Sequence, residues 1–208
     1  MNVLIADHHP VYRKGLKYVM KDYREIRFTG KVENGRDLLL TIDEQEPEML
    51  ILEIDLPNIN GIGILRELNE RYPNMRILVI SAHPEMIYAE SAIKAGASGY
   101  ISKTRNSKDI RRAILEVSKG NAYMSPEIEE YIKSRKNRSK HRVFKKLSTR
   151  EIEVLNLISR GKRNKEISEI LNINEKTVST YKTRLLRKLN VTNVADLIHQ
   201  SRLLQITK

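Results

Sequence analysis

The chain has 208 residues, a formal net charge of +12, 31% charged residues and no cysteine. Without cysteine there is no disulfide framework, thiolate nucleophile or zinc–cysteine site, and no apolar run approaches the ~20 residues that a membrane-spanning helix needs. The length suits two small domains, each with its own core, and the charge divides them: Lys and Arg number 18 against 17 Asp and Glu through Gly120, but 20 against 9 from Asn121 onward. Nearly all the excess lies in the C-terminal portion, which suggests that one domain meets a polyanion and the other does not. Met1-Asn2-Val3-Leu4-Ile5-Ala6-Asp7 reads as a strand rather than as a basic flank and apolar leader. A cytoplasmic chain with no membrane partner is therefore expected.

The first 120 residues alternate short apolar runs with amphipathic helical patterns. Strands are expected at 3–6, 26–32, 49–52, 77–80 and 99–101. Helices are expected from Pro10, which suits a first helical turn, to about Met20; from an Asn34 cap through Thr41; over 62–71; over 84–94; and from a Ser107 cap to near Gly120. The first, third and fourth strands are apolar throughout, as expected when helices cover both faces of a parallel sheet. Alternating βα units predict an α/β doubly wound five-stranded parallel sheet of order 2-1-3-4-5, with its ligand site beyond the carboxyl ends of the strands. At those ends stand Asp7, His8 and His9 after strand one, Glu53 and Asp55 after strand three, Ser81 after strand four, and Lys103 after strand five. Carboxylates, a hydroxyl and a lysine converging on one edge can hold a divalent cation and a phosphoryl group.

Next comes a short helix opened by Ser125-Pro126-Glu127, with Ile128, Tyr131 and Ile132 as a packing stripe. From Ser134 to Lys146 apolar content nearly vanishes and basic residues crowd in, so 121–146 reads as a linker helix and basic linker. Residues 147–208 read as four helices. Ser148-Thr149-Arg150-Glu151 is a capping box for the first, which Gly161 ends. A helix over 164–171, the turn Asn172-Ile173-Asn174, a longer helix over 175–189 and a last helix from Asn193 to about Leu204 complete an all-α domain. The short helix, tight turn and basic helix describe a helix-turn-helix, whose second helix enters the major groove. The polar face of that helix offers Lys176, Thr177, Ser179, Thr180, Lys182, Thr183, Arg184, Arg187 and Lys188, with no acid after Glu175. Leu197, Ile198 and Leu203 exceed what one small core needs and are expected to dimerise the domain.

Both halves resemble a known family. The stretch 3–10, the loop Ile51-Leu52-Glu53-Ile54-Asp55-Leu56-Pro57-Asn58-Ile59-Asn60-Gly61, the pair Ser81-Ala82 and the stretch Gly99-Tyr100-Ile101-Ser102-Lys103 resemble receiver domains of NarL/FixJ-type response regulators. Leu147-Ser148-Thr149-Arg150-Glu151, Gly161, Asn164-Lys165-Glu166-Ile167, Leu171, Thr177-Val178 and Lys188-Leu189 resemble the LuxR-type DNA-binding domain. The resemblance implies a sequence-specific transcription regulator, not an enzyme, with double-stranded promoter DNA and a second copy as partners. It leaves a sensor kinase and RNA polymerase as open contacts. It also implies that Ser81 is the switch hydroxyl, that Lys103 is the receiver lysine with Tyr100 as its aromatic neighbour, and that Ser179, Thr180 and Thr183 occupy base-contacting positions.

Two departures stand out. The family's phosphoacceptor is an aspartate four residues before the loop proline, and counting back from Pro57 lands on Glu53. The second acid after strand one, a magnesium ligand in receivers, is His8, a poor ligand for a hard cation. Asp55 stands where the family uses only a backbone carbonyl. The expectation is thus an atypical receiver that acts without conventional aspartyl phosphorylation and with no cofactor, His8 arguing against magnesium. The alternatives are a conventional phosphorylation-switched regulator and a metal-dependent phosphate-ester hydrolase.

Overall fold

The architecture was obtained as a computed structural model, which describes residues 1–59, 61–135, 147–189 and 191–203; the side chains of 131–135, 200, 202 and 203 lie outside that description, Tyr131 and Ile132 of the expected stripe among them. The chain divides into two units, Met1–Lys136 and Asn137–Lys208. Among the described residues no helix is long and apolar enough to cross a membrane.

In the first unit the strands are β1 (Asn2–Ala6), β2 (Arg27–Val32), β3 (Met49–Leu52), β4 (Arg76–Ser81) and β5 (Gly99–Ser102). The helices are α1 (Pro10–Val19), α2 (Leu38–Gln45), α3 (Gly63–Arg71), α4 (Glu85–Lys94), α5 (Ser107–Ser118) and α6 (Pro126–Arg135). The sheet order is β2-β1-β3-β4-β5 and every pairing is parallel, as the alternating βα pattern predicts. Side chains alternate across the sheet. One face sends Val3, Ile5, Met49, Ile51, Leu78, Ile80 and Ile101 into a core with Leu16 and Met20 of the α1 region and Ile110, Ala113, Ile114 and Val117 of α5. Leu4, Leu50, Leu52, Val79 and Tyr100 point the other way and are equally buried. Burial on both faces is why these strands carry no polar alternation.

Local signals shift several boundaries by a few residues. Asn34 does act as a cap, accepting from the Arg36 amide at 3.0 Å, but it opens a 3-10 turn, Gly35–Asp37, that runs into α2 and carries the helix to Gln45. Asn106, not Ser107, caps α5, because its side-chain oxygen accepts from the amides of Lys108 and Asp109, both at 3.0 Å.

The larger correction concerns 121–135, expected to be linker. Tyr123 pairs with the edge of β5: its amide donates to Ser98 O and its carbonyl accepts from the Tyr100 amide, each at 3.0 Å. Tyr123 and Ile128 are buried. Glu85, at the start of α4 and itself buried, accepts from Ser125 Oγ at 2.5 Å, the Ser102 amide at 2.8 Å and the Arg105 guanidinium at 2.9 Å. Arg105 also reaches both carboxylate oxygens of Glu127, each at 3.1 Å. Segment and helix thus belong to the first unit, since the free backbone groups of an edge strand and the apolar side chain of Ile128 are both satisfied by docking there. The basic stretch from Lys136 to Lys146 lies outside the described residues.

The second unit contains α7 (Thr149–Ser159), α8 (Asn164–Leu171), α9 (Glu175–Leu189) and α10 (Val194–Leu203). The capping box forms in full: Ser148 Oγ accepts from the Glu151 amide at 3.3 Å, and Glu151 Oε2 accepts from the Ser148 amide at 2.6 Å. Gly161 ends α7 at φ +76°, a conformation that favours glycine. Asn172 closes α8 in the left-handed region, and Asn174 accepts from the Lys176 amide at 2.8 Å to start α9. Ile152, Val154, Leu155, Ile158, Ile167, Leu171, Val178, Leu185 and Leu197 are buried and form this unit's apolar interior.

The docking of α6 depends on an ionised Glu85. Burial raises its pKa, but the bonds from Arg105, Ser125 and the Ser102 amide outweigh it, so the carboxyl titrates below the ordinary value of 4.5. A depressed folded pKa contributes stability that is present above the unfolded value and is lost as pH falls through the folded one. Glu85→Gln is expected to destabilise the first unit by roughly 1–3 kcal/mol at pH 7. In urea unfolding, the gap between variant and parent should narrow as pH is lowered below 4.5. A gap independent of pH would show that the charge contributes nothing.

Candidate functional sites: the strand-end pocket and the basic helix

The carboxyl ends of β1, β3, β4 and β5 bring Asp7, Glu53, Ser81 and Lys103 together. Asp7, Glu53 and Ser81 are 2%, 1% and 0% exposed. Two carboxylates so deeply buried require a counter-charge, and Lys103 supplies it: Nζ lies 2.6 Å from Asp7 Oδ2 and 3.0 Å from Glu53 Oε2. Glu53 is held at every corner. Oε1 accepts from Ser81 Oγ at 2.6 Å and from the Asp55 amide at 3.0 Å, while Oε2 accepts from the Ala82 amide at 3.3 Å. Its added methylene carries the carboxylate across to the β4 and β5 ends, into contact with the hydroxyl and the lysine together.

Asp55 brings its backbone amide to this group. Its side chain is 42% exposed and faces His83, with Oδ1 3.9 Å from Nε2, so its inclusion among the pocket carboxylates is corrected: the chain turns after β3 and aims it outward. Tyr100 is fully buried, its hydroxyl donating to the His83 carbonyl at 3.2 Å. Burial, then the charges of Tyr88 and Glu53, push its pKa well above the usual tyrosine value. His8 is half-buried with its ring centroid 3.8 Å from that of His9. Burial, followed by the neighbouring His9, lowers its pKa below 6.5.

Two neighbours, Arg13 and Tyr12, carried no sequence signal. Arg13 points its guanidinium at the Asp7 carbonyl and at Glu33 Oε1, each at 2.5 Å. Tyr12 places its ring 4.6 Å from Lys103 Nζ. His9 donates its amide to Asp7 Oδ1 at 2.8 Å. Arg13 and Tyr12 look like ordinary members of an amphipathic helix, and only the inward turn of α1 brings them here.

In the second unit the outer surface of α9 exposes Lys176, Ser179, Thr180, Thr183, Arg184 and Arg187, with Thr177 and Lys182 half-buried. Thr180 and Thr183 donate to the carbonyls of Lys176 and Ser179, at 2.9 and 3.1 Å, and Ser179 Oγ accepts from Asn164 Nδ2 at 3.1 Å. Each hydroxyl oxygen retains acceptor capacity on the exposed side. Lys188 differs. Its ammonium lies 2.7 Å from Glu151 Oε2, a carboxylate only 2% exposed, so its charge offsets a buried acid in the capping box. Leu197 is also corrected. It is fully buried in its own domain's interior and has no surface to offer a second copy. Ile198 is half-buried, and the side chain of Leu203 lies outside the described residues.

Comparison with known proteins agrees with this arrangement. Residues 3–115 match the response regulator receiver domain, and residues 145–201 match the bacterial regulatory proteins of the luxR family. The transcriptional regulatory protein DegU of Brevibacillus brevis is 30% identical, over 97% of this chain and 92% of its own. The virulence-factor positive transcription regulator BvgA of Bordetella pertussis is 34% identical, over 94% of each chain. Among solved structures, RcsB of Salmonella enterica serovar Typhimurium, bound to the rprA promoter with the phosphomimetic BeF3−, superposes with a TM-score of 0.78. It is 24% identical over 96% of this chain and 97% of its own, a likeness of fold. On its two matched domains and its near full-length relatives, the chain belongs to the NarL/FixJ-type response regulators: transcription regulators in which a receiver domain precedes a luxR-family regulatory domain.

Proposed function

We propose that this protein is a promoter-binding transcription regulator whose receiver is switched by the Glu53 carboxylate in place of aspartyl phosphorylation. The observation that carries this reading is the set of bonds on Glu53. Ser81 Oγ, Lys103 Nζ and the Asp55 and Ala82 amides all converge on its two oxygens. A hydroxyl, an ammonium and backbone amides are the donors that would stabilise a phosphoryl group at this strand end. Here a carboxylate of this chain takes them. The residues at hand do not fit magnesium, because His8 replaces an oxygen ligand and the Lys103 ammonium already sits on Asp7.

For output, the basic outer surface of α9 is suited to phosphates and the exposed hydroxyls of Ser179, Thr180 and Thr183 to base edges. Double-stranded promoter DNA is the proposed partner, bound by a homodimer. Of the residues expected on α10, Ile198 is the one described with surface left to contribute. The relatives DegU and BvgA carry names of transcription regulators, in keeping with a non-enzymatic role.

Glu53→Gln removes the charge at nearly constant shape and leaves Lys103 with Asp7 alone. If the carboxylate holds the switch, promoter affinity or dimerisation falls by roughly tenfold, about 1.4 kcal/mol of population shift. Glu53→Ala should do at least as much. Unchanged oligomeric state and affinity in both variants would sink the reading. Glu53→Asp by itself should accept no phosphoryl group from a small phosphodonor on a phosphate-affinity gel. Efficient labelling of that single variant would favour a conventional receiver.

The α9 assignment makes a separate prediction. Neutralising Lys182 or Arg187 to Gln should weaken binding to every duplex sequence and reduce the slope of log K against log salt by about 0.9 each. Altering Thr180 or Thr183 should change which sequences are preferred. Salt slopes identical to the parent would remove α9 from the interface.

A further inference from the structure

Ser179, Thr180 and Thr183 share one side of α9: at about 3.6 residues per turn they fall within roughly 100° of arc around the helix axis. All three are exposed, but their hydroxyl groups are in different states. A carbonyl oxygen can only accept. The protons of Thr180 Oγ1 and Thr183 Oγ1 are therefore committed to the carbonyls of Lys176 and Ser179, at 2.9 and 3.1 Å. What these two threonines offer outward is lone pairs.

Ser179 is the reverse case. Its Oγ accepts from Asn164 Nδ2 at 3.1 Å, an amide carried by α8 and not by α9. An amide N–H can only donate, so the hydroxyl proton of Ser179 is left to point elsewhere. The helix by itself offers Ser179 the carbonyl of Glu175, four residues back, just as it offers Thr180 and Thr183 theirs. The bond from Asn164 is what sets Ser179 apart.

Base edges in the major groove differ in the same two states. Adenine N6 and cytosine N4 donate, whereas guanine O6 and thymine O4 accept. We infer that α9 reads a mixed pattern: Thr180 and Thr183 accept from amino bases, adenine or cytosine, and Ser179 donates to a keto base, guanine or thymine. Asn164 is the positioning residue that gives Ser179 its donor polarity. The inference rests on the proposed entry of α9 into the major groove, and adds the class of base that each hydroxyl selects.

Full-length protein is used to enrich sequences from a random duplex library, and affinities are then measured for the enriched duplex and its single base changes. Asn164→Ala should relax a keto preference at one position by roughly threefold to tenfold, the worth of one hydrogen bond. Ser179→Ala should relax the same position, and the double variant should lose no more there than either single change. Thr180→Val and Thr183→Val, which keep the shape and remove the acceptor, should each relax an amino preference at a different position. The unsubstituted protein provides a further measurement. Removing the exocyclic amino group from a base so preferred, with purine for adenine or 2-pyrimidinone for cytosine, should weaken its binding by a similar factor. Unchanged base preferences in Asn164→Ala, or a keto preference lost in the valine variants, would overturn the assignment while leaving salt-sensitive DNA binding, and so the wider reading, intact. Failure of the unsubstituted protein to bind the library at all would overturn both.

Discussion

The first domain is organised around one ammonium group between two buried carboxylates. Asp7 and Glu53 are almost without solvent, and Lys103 lies within 3.0 Å of both. Burying an unpaired carboxylate has an effective penalty of several kcal/mol per ion. The strands that deliver these groups are therefore tied to a common register at their carboxyl ends. The parallel pairing of β1 with β3, and of β4 with β5, places Ala6 beside Leu52 and Ser81 beside Ser102. The charged residues that follow them meet as a consequence. Glu53 reaches both Ser81 and Lys103 across the strand ends.

From this cluster the sheet edge leads to α4. Ser81 contributes its hydroxyl to Glu53 and its Oγ also accepts from the His83 amide at 3.3 Å. Tyr100, beneath, bonds the His83 carbonyl. Two residues on, Glu85 gathers Arg105, Ser102 and Ser125, and through them α6. The loop between β4 and α4 thus carries the pocket at one end and the anchor of the helix that leaves the receiver at the other.

The second domain solves a similar problem on a smaller scale. Glu151 closes the capping box of α7 yet is nearly buried, and Lys188, from the far end of α9, lies 2.7 Å away. Burial raises the carboxyl's pKa, but the bonds from Lys188 and Ser148 prevail and lower it. One lysine of the basic helix thus fastens α9 to α7, while Lys176, Arg184 and Arg187 remain at the surface.

The sequence by itself determined the two-domain plan, the strand order and the helix-turn-helix, because hydrophobic period, caps and turn residues are local signals. The 3.6-residue and unbroken apolar patterns identify each element, and Ser148, Gly161, Asn172 and Asn174 mark where helices start and stop. It also identified Asp7, Glu53, Ser81 and Lys103, since strand ends in a parallel sheet converge on one edge. Tertiary structure alone decided which polar residues are engaged and with what. Asp55 and Glu53 are two positions apart, yet one is exposed and the other buried. Lys188 reads like any basic residue of α9 until Glu151, distant in the chain, claims its charge. Leu197 reads as surplus apolar surface until the packing of α10 on α7 and α9 removes it from water. The docking of 121–135 on β5 and α4 was hidden for the same reason. Burial and ion pairing depend on neighbours remote in sequence, and periodicity records only which way a residue faces within its own element.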